Sequence, residues 1–237
     1  MKFGILAAFL LCNSLAPVQE AVDIAAEPHY RLLLENDQVR VFALTLHPDE
    51  SAFVHLQHSF MTVTLQDGEI IIWDEGKSPI QHFQVHNGQT NFIWLTHGQQ
   101  AQGMSGGFRN DRMKDYRNIT IEFLDADIGW SLFNNGTTTA LLAAPGSMFL
   151  GGAIVADVLL QPGDSFPPPP KPGAELVIPV SNVDLKGAGA IRIRNSPGEV
   201  AWIPLARTAP LTNAGREPAR YIIVEFQPDT PYAPITP

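Results

Sequence analysis

The feature that most restricts this chain is that it repeats itself. Val39-Arg40-Val41-Phe42-Ala43-Leu44-Thr45-Leu46 runs into His47-Pro48-Asp49-Glu50-Ser51, and Ile154-Val155-Ala156-Asp157-Val158-Leu159-Leu160 runs into Gln161-Pro162-Gly163-Asp164-Ser165. Pro48 aligns with Pro162 and Ser51 with Ser165, 114 residues apart. Each half closes on a similar stretch, Ile119-Thr120-Ile121-Glu122-Phe123 against Ile222-Ile223-Val224-Glu225-Phe226, 103 residues apart. Between them Gly88 matches Gly198, 110 residues apart. The second copy is therefore shorter both early and late. The late difference falls on Gly98 to Asp115, a stretch rich in glycine and polar residues that reads as a loop peculiar to the first copy.

Each copy is made of short alternating runs that end in turns, the pattern of β-strands. Asp67-Gly68 lies between Met61–Leu65 and Glu69–Trp73, a hairpin signal, and Lys186-Gly187-Ala188-Gly189 separates two further strands. No long amphipathic helix is legible. Two such repeats imply two antiparallel sandwiches or barrels. With 45% apolar and 16% charged residues, each copy has the means to bury a core.

The N-terminus has the layout of a secretory signal: Lys2, then the apolar run Phe3 to Leu11 extended to Ala16, then small and polar residues. The expected organisation is a signal peptide over 1–26 with an unfixed cleavage point, a first domain over 27–128, a linker over 129–146, a second domain over 147–227 and an extended proline-rich tail over 228–237. Cys12 is the only cysteine and lies in the signal, so the mature chain has neither disulfides nor thiol chemistry, which suits export to a bacterial periplasm or beyond. A net charge of -9 without a basic stripe argues against nucleic-acid partners, and no stretch after the signal is apolar enough to cross a membrane.

The landmarks resemble the two motifs of the cupin superfamily, G-x5-H-x-H-x3-E-x6-G and G-x5-P-x-G-x2-H-x3-N. The resemblance implies two tandem cupin-type double-stranded β-helix (jelly-roll) barrels, an all-β fold, in which three histidines and the glutamate bind one metal. In the second copy the later motif runs from Gly198 through Pro204, with Ala206, Ala209 and Asn213 at the glycine, histidine and asparagine positions. Its first motif starts at Gly163 and puts Pro169 and Lys171 at the histidines and Glu175 at the glutamate. In the first copy Asp49 starts the first motif, His55 and Gln57 stand at the histidines, Met61 at the glutamate and Gly68 at the closing glycine. The later motif there starts at Gly88 and puts Trp94, Thr96 and Gln99 at the proline, glycine and histidine positions.

One ligand of four does not hold a metal, so no cofactor is expected. Strand parity puts His55, Gln57 and Met61 on the inner face of the first barrel and His58 on the outer, and joins His97 to Gln99. A divalent transition metal held by His55 and His97 in the N-terminal barrel is the alternative. Lys171 and Glu175 are either an inward pair or an exposed ion pair beside the run Pro167–Pro170, the exposed pair being favoured. The remaining candidates are thus His55, Gln57, Met61, His97, Gln99, Lys171 and Glu175. Three readings stand: an exported, metal-free bicupin that binds a small-molecule ligand or acts as an interaction module; a dioxygenase, isomerase or decarboxylase with an atypical centre in the first barrel; and a structural subunit. Because cupins pair barrel to barrel, the chain reads as a dimer in one polypeptide, with a homodimer as a further partner.

Overall fold

The computed structural model describes residues 21–74, 81–93, 104–124, 148–149, 153–169, 173–205 and 207–226. Residues 1–20 of the expected signal, the whole expected linker and the expected tail lie outside them. The first copy comprises β1 (Val22–Asp23), a 3-10 turn (Ile24–Ala26), β2 (Tyr30–Glu35), β3 (Val39–Leu46), β4 (Ser51–Leu56), β5 (Ser59–Thr64), β6 (Gly68–Asp74), β7 (Gln81–Val85), β8 (Thr90–Ile93), β9 (Met104–Asn110) and β10 (Tyr116–Phe123). The second comprises β11 (Met148–Phe149), β12 (Ala153–Leu160), β13 (Ser165–Phe166), β14 (Glu175–Pro179), β15 (Val183–Lys186), β16 (Arg192–Asn195), β17 (Ala201–Ile203), β18 (Leu211–Asn213) and β19 (Ala219–Phe226). The first domain starts earlier than its expected boundary: β1 pairs with β4, and Ile24 is buried in the first core.

The two copies have one topology. The first has sheets of order β1-β4-β9-β6-β7 and β2-β3-β10-β5-β8; the second has β13-β18-β15-β16 and β11-β12-β19-β14-β17. These are two-sheet jelly rolls, as the motif resemblance implied. The sheets stack in four layers. The two sheets centred on β10 and β19 face each other in the middle, and each also closes one barrel. Strands buried on both faces are apolar at both parities. Val41, Met61, Ile121 and Phe123 pack against Val155, Leu176, Val224 and Phe226 between the barrels. Phe42, Leu44, Val54 and Ile70 fill the first barrel, and Val158, Leu185, Leu211 and Ile223 fill the second.

The contact between barrels has approximate two-fold symmetry. Equivalent Phe123 and Phe226 meet with ring centroids 6.3 Å apart. On one side Arg117 Nη2 donates to Pro197 O (3.2 Å); on the other its equivalent, Arg220, donates from Nη1 to Asn87 O (3.1 Å). The matched glycines that follow those carbonyls have φ of +81° and +100°, and an added Cβ would lie 2.6 Å from the Arg220 guanidinium at Gly88 and 2.5 Å from that of Arg117 at Gly198. Glycine is needed there for both the backbone and the clearance.

Two readings of the sequence are corrected. Asp67-Gly68 is a corner between sheets, not a hairpin: β5 pairs with β8 and β10, while β6 pairs with β7 and β9. The stretch read as a loop contains β9, a central strand. Gly107 is there because Trp73 folds over it: a Cβ on it would sit 2.2 Å from the indole.

The first motif begins as expected in both copies. Asp49 and Gly163 both have positive φ, +65° and +87°, and their backbone N–H groups donate to Asn110 O and Asn213 O. Nothing lies within 4 Å of a Cβ added at Gly163. Gly163→Ala therefore isolates backbone strain, and chemical denaturation is expected to show a loss of about 1–2 kcal/mol; no change would mean that the turn relaxes at no cost.

Candidate functional site

Where the first motif of the second copy puts its glutamate, Glu175 is buried, and its carboxylate is gripped on both oxygens by Arg207. Arg207 Nε donates to Oε2 (2.5 Å) and Nη2 to Oε1 (2.9 Å). The rest of the guanidinium donates to backbone carbonyls: Nη2 to Pro167 (3.0 Å), and Nη1 to Ala209 (3.0 Å) and Phe166 (3.5 Å). All five N–H donors are thus engaged, and the Phe166 ring lies beneath, 5.8 Å from the guanidinium carbon. Glu175 is not part of an exposed pair, and Lys171 lies outside the described residues. Arg207 fell among the spacer residues of the motif and carried no sequence signal.

A second carboxyl faces this pair. Glu225 lies opposite Glu175 in the ladder between β19 and β14. Burial, reinforced by the Glu175 charge and partly offset by Arg207, pushes Glu225 up to about 7. Tyr221, four residues back along the same inner face, is fully buried, and its hydroxyl has no hydrogen-bond partner. Over Arg207, a cavity of about 400 Å³ opens between Ile191, Ile203, Pro204, Leu205 and Ala209.

The first barrel meets the same problem differently. Glu122, equivalent to Glu225, points inward and accepts from Arg40 on the neighbouring strand (Nε 2.8 Å, Nη2 2.7 Å). Burial raises the Glu122 carboxyl, and Arg40 counters it. Along the same inner face Asn118 Nδ2 donates to the Tyr116 hydroxyl, and Thr120 Oγ1 donates to Asn118 Oδ1, both at 3.0 Å.

Of the first-barrel candidates, His55, Gln57 and Met61 do not converge. Ala52, Val54 and Leu56 turn into the core, so His55 faces outward beside Ser105 on β9, Nδ1 to Oγ 2.9 Å. Three apolar side chains outweigh one imidazole, and a register shifted by one residue reverses every face. Gln57 is exposed beyond the end of β4. Met61 lies between the barrels, not inside one. Glu122 pairs with Phe60 as Glu225 pairs with Glu175, so Phe60 matches Glu175, and the expected match to Met61 is one residue off. His58, expected outward, is half-buried, and its pKa is lowered by burial and the nearby Arg40 charge.

His97 and Gln99 lie outside the described residues. The equivalence of Gln99 to Ala209 is nonetheless corrected. Asn213 Nδ2 donates to Leu160 O and Glu217 O, and Asn110 Nδ2 makes the same pair of bonds to Leu46 O and Lys114 O. Counting back from the asparagines, Gly106 matches Ala209.

The residues at the motif positions do not fit a metal. In the second barrel Glu175 is engaged on both oxygens, and Pro169 and Ala209 have no ligating side chain. In the first barrel Phe60 and Gly106 stand where ligands would be, and His55 faces away. Among the described residues no three His, Cys, Asp or Glu side chains are grouped to hold an ion.

The fold and repeat define a tandem jelly-roll protein. Comparison with solved structures gives it the bicupin fold. AerE from Microcystis aeruginosa superposes with a TM-score of 0.55 at 12% identity, covering 84% of this chain and 98% of that one. A cupin 2 conserved barrel domain protein from Leptotrichia buccalis gives 0.52 at 15% identity, over 84% and 88%. A point mutant of the oxalate decarboxylase OxdC of Bacillus subtilis gives 0.51 at 12% identity, over 86% and 76%. No protein-family model and no curated protein matches the chain.

Removing Arg207 alone strands a buried carboxylate. Arg207→Met is expected to cost about 3–5 kcal/mol in denaturant unfolding, while Arg207→Met with Glu175→Leu recovers most of that loss; equal losses would show that packing, not charge, is at stake. Glu225 has a folded pKa above its unfolded one, so its native form holds a proton that the unfolded chain releases, and stability falls as pH rises from about 4.5 to about 7. Glu225→Gln is expected to abolish that slope and to gain about 2 kcal/mol at pH 8 but little at pH 4.5; parallel pH–stability curves for both proteins would refute the assignment.

Proposed function

We propose that the chain is an exported binding protein whose C-terminal barrel takes a small, largely apolar ligand at its mouth, without a metal. The bidentate Arg207–Glu175 pair carries this reading. Its Glu175 stands at the position that in the cupin motif supplies a metal ligand, and its Arg207 lines a cavity of about 400 Å³ with walls of Ile191, Ile203, Pro204 and Leu205. A concave, mainly apolar site with one fixed polar group is the usual form of a small-ligand pocket. Exposed Leu205 on the rim adds apolar surface that folding alone does not explain. The signal-like sequence from Lys2 to Ala16 supports export.

Two measurements test this on the full mature chain purified without a tag. Metal analysis is expected to find only sub-stoichiometric metal; one equivalent retained through dialysis overturns the metal-free reading. The probe 8-anilinonaphthalene-1-sulfonate is expected to bind with enhanced fluorescence, and Ala209→Phe, which fills the cavity, to weaken it at least tenfold. Unchanged affinity in a folded Ala209→Phe variant would move the ligand site elsewhere.

A further inference from the structure

The two copies treat the same interface arginine differently. In the second copy Arg220 reaches across to the first-copy turn, and Asp157 on β12 neutralises it through a bidentate pair, Nε to Oδ1 3.1 Å and Nη2 to Oδ2 2.7 Å. In the first copy Arg117 reaches across to Pro197 O in the same way. Its neutralising carboxylate is missing. Asp157 lies opposite Ile222, and Ala43 lies opposite the equivalent Ile119, so Ala43 occupies the position of Asp157.

Where the carboxylate would be, there is a cavity of about 340 Å³ between the copies, lined by Arg117, Ala43, Arg31, His29, His47 and the Gly198 turn. Arg31 lies directly across from Ala43 on β2. Among the described residues neither Arg117 nor Arg31 has a carboxylate partner. Glu50, the acid on the cavity wall, accepts from the His47 backbone N–H (2.8 Å) and lies 3.6 Å from His29 Nε2. At the rim His47 is paired with Asp115 (Nδ1 to Oδ1 2.8 Å), whose hydrogen bond and charge raise its pKa.

We propose that this cavity binds the carboxylate of a small organic acid, held by Arg117 and Arg31 in the place that Asp157 fills in the other copy. The second copy shows that this arginine accepts a bidentate carboxylate in this setting, and the planar fork of a guanidinium favours that geometry. The volume accommodates a small molecule. The net charge of -9 opposes a large polyanion.

The test uses malonate as probe, with chloride and sulfate at matched ionic strength, read by calorimetric titration and thermal unfolding of the full chain. Malonate is expected to bind one site per chain and to raise Tm. Ala43→Asp rebuilds the pair seen at Asp157–Arg220, so the variant is expected to stay folded with unchanged or higher Tm while its malonate affinity falls at least tenfold. Arg31→Gln is expected to weaken malonate severalfold at unchanged Tm without ligand. No binding to the wild type, undiminished binding to folded Ala43→Asp, or sulfate binding as tightly as malonate each overturns the proposal.

Discussion

The burial of two sheets against each other organises everything else in this protein. A jelly roll needs one sheet face for its own core; here the sheets centred on β10 and β19 each have a second apolar face, and each covers the other. Met61, Ile121 and Phe123 on one side and Leu176, Val224 and Phe226 on the other are fully or almost fully removed from water, at roughly 1.5–3 kcal/mol for each such side chain. Neither barrel keeps a soluble outer face without its twin. The reciprocal arginines set the register of this contact: each needs a glycine turn on the opposite copy to admit its guanidinium.

Because the central strands are apolar on both faces, polar groups on their inner sides are costly unless they are matched. Both closing strands nevertheless turn a glutamate inward, Glu122 and Glu225. The first barrel answers from the adjacent strand with Arg40; the second has Ile154 there and draws Arg207 from the loop before β18, where Glu175 takes it. With Arg207 taken up by Glu175, burial and the adjacent Glu175 charge push Glu225 up to about 7, offset only in part by the guanidinium. The cation at the centre of the second barrel is supplied by the chain.

The repeat, its strand pattern and the motif turns were legible because backbone rules write them directly: positive φ at Asp49 and Gly163, clearance at Gly88 and Gly198, and the bridging bonds of Asn213. Faces and partners were not. His55 lies in a run where Ala52, Val54 and Leu56 make an equally good alternating set, and spacing counted from a distant glycine does not say which set is buried. The glycines at 106 and 107 resembled a loop because the ring that requires Gly107, that of Trp73, is far away in sequence. Arg207 looked like spacer because its partner is defined only by the fold.

The length differences between the copies fall where their chemistry diverges. The offset is 114 residues at the turn before β4 and β13 but 115 by β5 and β14, and that extra residue brings Glu175 to the place of Phe60. By the asparagines Asn110 and Asn213 it has dropped to 103. The surplus in the first copy therefore lies ahead of β9, next to the strand whose Gly106 replaces a ligand position. Outside that stretch the pairing of β3 with β10 matches that of β12 with β19 residue for residue, since a shift within β10 or β19 would expose the shared core. Point differences on the shared strands, such as Ala43 against Asp157, then leave equivalent arginines of the two halves with different partners.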